Sequence, residues 1–180
     1  MGVSMGPVPT RLVLVIALSA GPLMVGPPAH AQAASCLGQG ATISGTAGDD
    51  NIVGTPGDDV IAGLGGNDTI SGQGGNDAIC GGDGNDVLGA GGGDDVLRGD
   101  AGDDSLAGDD GRDSLTGGDG TDRLNGGTAD DNLSGGGGDD QLFGEDGNDS
   151  LSGGPSSDRC DGGPGTDDTD GSCETRQSIP

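Results

Sequence analysis

From Ile52 onward a large aliphatic residue stands at every ninth position: Ile52, Ile61, Ile70, Ile79, Leu88, Leu97, Leu106, Leu115, Leu124, Leu133, Leu142 and Leu151. Its immediate neighbours are mostly small or polar. Glycine follows two residues after the aliphatic position, with Ala90 the exception, and again five residues after it, with Ala129 and Ser156 the exceptions. An amphipathic helix would repeat its apolar face at i, i+3, i+4 and i+7, and a half-buried strand would simply alternate. A nine-residue period fits neither pattern and marks an array of repeated units that bury their faces on one another. Within each unit the segment around the aliphatic residue, such as Val87-Leu88-Gly89, suits a very short strand with only the middle side chain turned inward. The rest is a tight turn. Glycines at its first, second and fourth positions permit positive-φ backbone and let carbonyls crowd together without a Cβ in the way.

Laid out in nines from Gly45 to Asp170, the chain holds fourteen contiguous repeats without insertion or deletion. The eighth position decays only at the end, to Cys160 and Thr169. The sixth position is aspartate throughout: Asp50, Asp59, Asp68, Asp77, Asp86, Asp95, Asp104, Asp113, Asp122, Asp131, Asp140, Asp149, Asp158 and Asp167. A disordered Gly/Asp-rich tail would not hold separate positions in phase over such a length.

Composition sharpens this reading. The 180 residues include 44 Gly, one aromatic (Phe143), no Lys, and 31 acidic residues of which only Glu145 and Glu174 are glutamate; the net charge is −25. Twelve buried aliphatic side chains fall far short of the entropy lost in ordering the array. The negative charge opposes compaction further, and bound cations answer both problems. That charge also excludes nucleic acid as a partner.

The frame of the repeat beginning at Gly81, GGDGNDVLG, carries a family resemblance. The array resembles the RTX (hemolysin-type) calcium-binding nonapeptide, G-G-x-G-x-D-x-U-x with U a large aliphatic residue, over about 70% of the chain. The repeats beginning at Gly72, Gly81, Gly117 and Gly135 match best, whereas Thr46 and Thr55 replace the second glycine and the last two repeats lose the aliphatic residue. The period alone would allow several solenoids. The resemblance implies an all-β parallel β-roll (β-solenoid) of about seven two-repeat coils with calcium in the turns. In such a roll each in-phase aspartate stacks on the one two repeats on: Asp68 on Asp86, Asp77 on Asp95, Asp86 on Asp104. All fourteen are then expected calcium ligands, each pair sharing one ion completed by turn carbonyls such as those around Gly84 and Gly102. At most twelve pairs arise, and twelve Ca²⁺ would bring +24 against −25. The out-of-phase Asp83, Asp100, Asp109 and Asp119 are read as exposed charge.

Four cysteines in a secreted chain favour disulfides. On the roll implied by the resemblance, Cys80 and Cys160 lie about 20 Å apart and Cys36 and Cys173 at opposite ends, and the crossed pairs meet the same objection. Cys36 with Cys80 and Cys160 with Cys173 remain, expected to clip the first and last coils. A zinc or redox site is not expected, since close Cys-x-x-Cys spacing is lacking and the single histidine is His30.

Ahead of the array, Arg11 precedes an apolar stretch from Leu12 to Ala20 that is too short to span a bilayer, and the small-residue site Ala29-His30-Ala31 follows. Residues 1–31 read as a secretory signal peptide cleaved after Ala31, with Ala33 the next choice. The alternative is a retained anchor, because Leu12 to Val25 stays fairly apolar. The residues Ala33-Ala34-Ser35 before Cys36 argue against a lipoprotein. This gives a leader at 1–31, an N-terminal cap at 32–44, the roll at 45–170 and a C-terminal cap or tail at 171–180, with no stable membrane insertion once the leader is gone.

Catalytic machinery is not expected. The chain after the leader has neither His nor Lys for proton transfer or covalent chemistry, and neither a H-E-x-x-H motif nor a long apolar domain is present. The sequons at Asn67 and Asn148 follow from the repeat itself. The expected function is a secreted, extracellular calcium-binding module that engages a cell-surface or matrix component. A calcium buffer or calcium-triggered folding switch without a macromolecular partner is the alternative. Binding to ice or another crystal surface would need a regular outward ladder, and the fifth positions Asp94, Asp103, Arg112, Thr121 and Asp130 read as irregular.

Overall fold

The computed structural model describes Arg11–Leu12 and residues 34–179. Apart from Arg11–Leu12, the expected leader and its cleavage sites lie outside the described residues. Successive repeats contribute strands alternately to two parallel sheets, one of nine strands and one of eight. Val87–Gly92 belongs to the first and pairs with Ser105–Asp110; Val96–Ala101 belongs to the second and pairs with Ser114–Asp119. Each partner lies eighteen residues away, Leu88 beside Leu106 and Leu97 beside Leu115. Two repeats therefore make one coil. The chain is an all-β parallel β-solenoid of about seven turns, with no helix among the described residues.

The strands are longer than the aliphatic spacing suggests. Most run six residues, taking the last three positions of one repeat and the first three of the next. Leu88 and Ala90 both face inward from Val87–Gly92, as Leu97 and Gly99 do from Val96–Ala101. The expectation of one inward residue per strand is corrected here, because the second inward position is nearly always glycine and contributes no apolar signal. Between the sheets the eighth-position side chains form a file from Ile43 through Leu151 to Cys160, which Cys173 from beyond the array completes. Burial of the inner face of each sheet around this file supplies the hydrophobic contribution, and β-branched or γ-branched residues fill it without polar atoms.

Pairing extends beyond the regular array. Ile43 sits beside Ile61, one coil before Ile61 in the stack, and Cys173–Ile179 adds a last strand against Asp158–Pro164 with shifts in register. At the other edge Arg11–Leu12 pairs with Asp50–Asn51.

Within the array of residues 45–170, positive φ is confined to the second and fourth positions. Leu64, Gln73, Asp100, Asp109 and Glu145 adopt it at the second position with φ between 68° and 85°, a conformation unfavourable for residues with a Cβ. The glycines of the first position do not adopt it. Their role is space, which corrects the expectation that they serve the turn dihedrals.

The disulfides join Cys36 to Cys80 and Cys160 to Cys173, each with a Cα separation of 5.6 Å. They do different jobs. Cys160 occupies the inward eighth position, so its bond closes the C-terminal end of the core file. Cys80 occupies the outward ninth position and packs with Cys36, Ala78 and Val60 outside that file. The hairpin of Ser35–Cys36 and Gln39–Gly40 is thus fastened to the outer surface at the second coil. It packs on Val60 of the first coil as well as Ala78 of the second, so the clip expected on the first coil lies across its outer face. Peptide mapping under non-reducing conditions should recover Cys36 with Cys80 and Cys160 with Cys173; a Cys36–Cys173 peptide would contradict the straight stack.

Candidate metal centre

The sixth-position aspartates line the two edges where one sheet turns into the other. Thirteen of them, Asp50 through Asp158, are buried, and Asp167 is half-buried. On one edge Asp68 Oδ1 accepts the Asp50 backbone N–H, and the same bond recurs from Asp68 to Asp86, Asp86 to Asp104, Asp104 to Asp122, Asp122 to Asp140 and Asp140 to Asp158. On the other edge it runs from Asp59 to Asp77, then to Asp95, Asp113, Asp131, Asp149 and Asp167. These N···O distances span 2.6–3.1 Å. The repeat brings the aspartates together in the order that its eighteen-residue stacking requires.

The second carboxylate oxygen is different. Oδ2 of Asp68, Asp77, Asp86, Asp95, Asp104, Asp113, Asp122, Asp131, Asp140, Asp149 and Asp158 is buried without a hydrogen-bond partner. An unpaired buried oxygen on a charged group is costly, and a row of them calls for a cation. The surroundings fit one. A methyl placed on Gly63 would collide with Asp68 Oδ2 and with the Gly81 carbonyl oxygen of the next coil, and Gly99 stands in the same relation to Asp104 Oδ2 and Gly117 O. First-position glycines from Gly45 to Gly144 thus leave room for a carboxylate oxygen and a main-chain carbonyl of the next coil to converge, hard oxygen donors of the kind Ca²⁺ takes. Among the described residues no three His, Cys, Asp or Glu side chains converge. A bound ion would therefore draw on stacked carboxylates and on carbonyls for the rest of its shell. Ala90, the one first-position residue with a Cβ, is fully buried and joins the core file.

Electrostatics agrees with this. Burial raises the carboxyls of Asp68, Asp77, Asp113 and Asp140 to about 6 and those of Asp104 and Asp131 to about 7, the backbone N–H bond only partly opposing it and stacked aspartates adding to it. Asp86, Asp95, Asp122 and Asp149 are raised by the same burial. A cation in the ladder would remove that pressure.

A second ladder, at the fifth position, escapes the sequence reading. Asn67 Oδ1 accepts the Asn85 N–H, and Asn85 Oδ1 the Asp103 N–H; Asn76, Asp94, Asp130 and Asn148 act alike. Here the side chain reaches forward one coil, whereas the sixth-position aspartate reaches back. The signal was the recurrence of Asn or Asp before the invariant aspartate, which only stacking makes intelligible. The exposed Asp94 carboxyl is lowered by the Arg112 backbone and side-chain hydrogen bonds. Of the out-of-phase acids, Asp83, Asp109 and Asp119 are exposed, while Asp100 is half-buried and pairs with Arg98 at 2.6 Å.

The family model for the RTX calcium-binding nonapeptide repeat matches six overlapping segments, 40–69, 53–88, 81–115, 89–124, 116–151 and 134–168. The chain belongs to this RTX family. Calcium is accordingly its ligand, and the two-edged stack is the RTX β-roll. No curated protein matches the RTX chain.

The raised carboxyls give the calcium-free fold a pH dependence. With folded values of about 6–7 against 3.8 for the ordinary group, protons favour the metal-free roll fully below about 3.8, and this contribution is lost as pH rises through 6–7. Acidifying the calcium-free chain from pH 7 towards 4 should therefore shift its folding equilibrium toward the roll, by up to about tenfold per pH unit for each carboxyl that takes up a proton. Circular dichroism in excess chelator across that range measures it; a strand signal that does not change with pH would contradict the buried ladder.

Proposed function

We propose that the chain is a secreted repeat protein folded by calcium, acting outside the cell as an interaction or structural module at a cell surface or in a matrix, without catalysis. The fourteen sixth-position aspartates, Asp50 through Asp167, are the candidate ligands, and their stacking provides for at most twelve shared ions. The observation that carries this reading is the row of buried carboxylate oxygens with no protein partner. Two disulfides and the leader sequence support an oxidising, extracellular location. Among the described residues no helix is long and apolar enough to cross a membrane.

A module is favoured over a pure buffer by one outward cluster. Phe143, the single aromatic, lies 4.3 Å from the Arg123 guanidinium and 5.9 Å from that of Arg159, on the face opposite the core file. Storing ions requires nothing there, whereas aromatic and arginine side chains anchor macromolecular contacts. Replacing Phe143 and Arg123 by alanine should leave calcium binding intact while abolishing calcium-dependent capture of surface or matrix components from the native envelope.

Calcium titration followed by circular dichroism should bring up most of the strand signal cooperatively at about 10⁻⁴–10⁻³ M, the range of extracellular modules, with magnesium a poor substitute. A full strand spectrum in excess chelator would refute calcium-driven folding. Asp86→Ala should lose more ions than Asp167→Ala, because Asp86 is bonded to both Asp68 and Asp104 while Asp167 has a neighbour on one side. Equal losses by calorimetric counting would sink the shared-ligand arrangement.

A further inference from the structure

The first two repeats satisfy their buried carboxylates differently from all the others. The Thr46 N–H and hydroxyl donate to Asp50 Oδ2 at 2.6 and 2.9 Å, and Thr55 makes the same two bonds to Asp59 Oδ2 at 2.6 and 2.9 Å. Each hydroxyl also accepts a turn N–H, from Gly48 and Gly57 respectively. Asp50 and Asp59 are accordingly absent from the row of partnerless oxygens that begins at Asp68. The backbone follows suit, for Thr46 and Thr55 lie outside the positive-φ region that the second position adopts from Leu64 to Gly163. An oxygen with two protein donors has its hydrogen-bonding demand met without a cation.

Three other features fall in the same segment. Its core file is isoleucine, from Ile43 to Ile79, and changes to leucine at Leu88; β-branched side chains favour the extended backbone. The Cys36–Cys80 bond closes a 44-residue separation, restricting the unfolded segment. The hairpin held by that bond covers Val60 and Ala78 on the outer face. Asp68 and Asp77 do not oppose this local stability. Each is covered by a main-chain carbonyl of the following coil, from Gly81 and Ala90 respectively, so with that coil unfolded both carboxylates face water.

We infer that residues 35–80 form a calcium-independent nucleus, in which Thr46 and Thr55 take the ion's place at Asp50 and Asp59, and onto which the calcium-dependent coils from Leu88 onward assemble. The inference rests on reading the later aspartates as calcium ligands. Each coil touches only its neighbours, so a preformed end spares the rest of the array the step of nucleation. Folding then proceeds from the amino-terminal end as calcium rises.

Hydrogen exchange of the disulfide-intact chain, read by mass spectrometry in excess chelator and again in millimolar calcium, tests this. In chelator, peptides covering 50–80 should exchange at least about tenfold more slowly than when denatured, while 87–170 exchanges freely and gains protection only with calcium. The pair Thr46→Gly and Thr55→Gly should lose the chelator-resistant protection, regain it with calcium and bind up to two further ions, at Asp50 and Asp59. Thr46→Ser with Thr55→Ser, which keeps the hydroxyls, should behave as wild type. Free exchange of 50–80 in the wild type would overturn the nucleus, and this measurement decides if the glycine pair fails to fold. Unchanged ion number and unchanged protection in a folded glycine pair would overturn the role of the threonines. Protection of 50–80 with no calcium effect on 87–170 would instead overturn the calcium reading of the later repeats and leave the nucleus standing.

Discussion

One bond organises the molecule: the aspartate N–H of each coil donating to Oδ1 of the aspartate in the next. It fixes the vertical spacing of the turns and drags a carboxylate into a place where water cannot reach its second oxygen. Everything else follows from what must be done with that oxygen. The first-position residue gives up its Cβ to leave room, the neighbouring carbonyl turns toward the pocket, and the fold becomes conditional on a cation. The hydrophobic file between the sheets sets the shape of the cross-section, but it is one residue wide and does not make the roll self-sufficient.

The parts of this arrangement that were legible in the sequence are those carried by side chains in strict phase. Leu97, Leu106 and their equivalents announced the core file, and the sixth-position aspartates announced the two edges. Less legible were features that depend on what lies one coil away. Gly99 and Gly117 face the core as squarely as leucine does, yet glycine carries no hydropathy to reveal it, so the strands were expected to be half their length. Asn67 and Asn85 look like ordinary turn residues until the N–H eighteen residues on is seen to need an acceptor. Thr46 and Thr55 read as departures from a consensus, whereas they complete a local hydrogen-bond set that the glycine repeats lack.

The two ends also obey different logic, which a repeat count conceals. At the carboxyl end a cysteine replaces leucine inside the core and the bond it makes with Cys173 stays within the apolar file. At the amino end the covalent link lies on the outside, fastening a hairpin over Val60 and Ala78. The first is a stopper and the second a strap. Only the inward or outward parity of the cysteine within its repeat separates them, and that parity could be assigned only once the strand phase was known.

The alternation of repeats between two sheets also restricts how such an array can change length. Loss or duplication of eighteen residues would return every later strand to its own sheet and preserve each cross-coil bond. A change of nine would keep leucine inward and aspartate at an edge, but it would carry all that follows to the opposite sheet. Phe143, Arg123 and Arg159, which share one outer surface through the Arg123–Gln141–Arg159 column, would then move from the sheet opposite the Cys36 hairpin to the sheet that carries it. Duplication in pairs is therefore neutral to display, whereas a single-repeat slip re-addresses half of the surface while leaving the interior unaware of it.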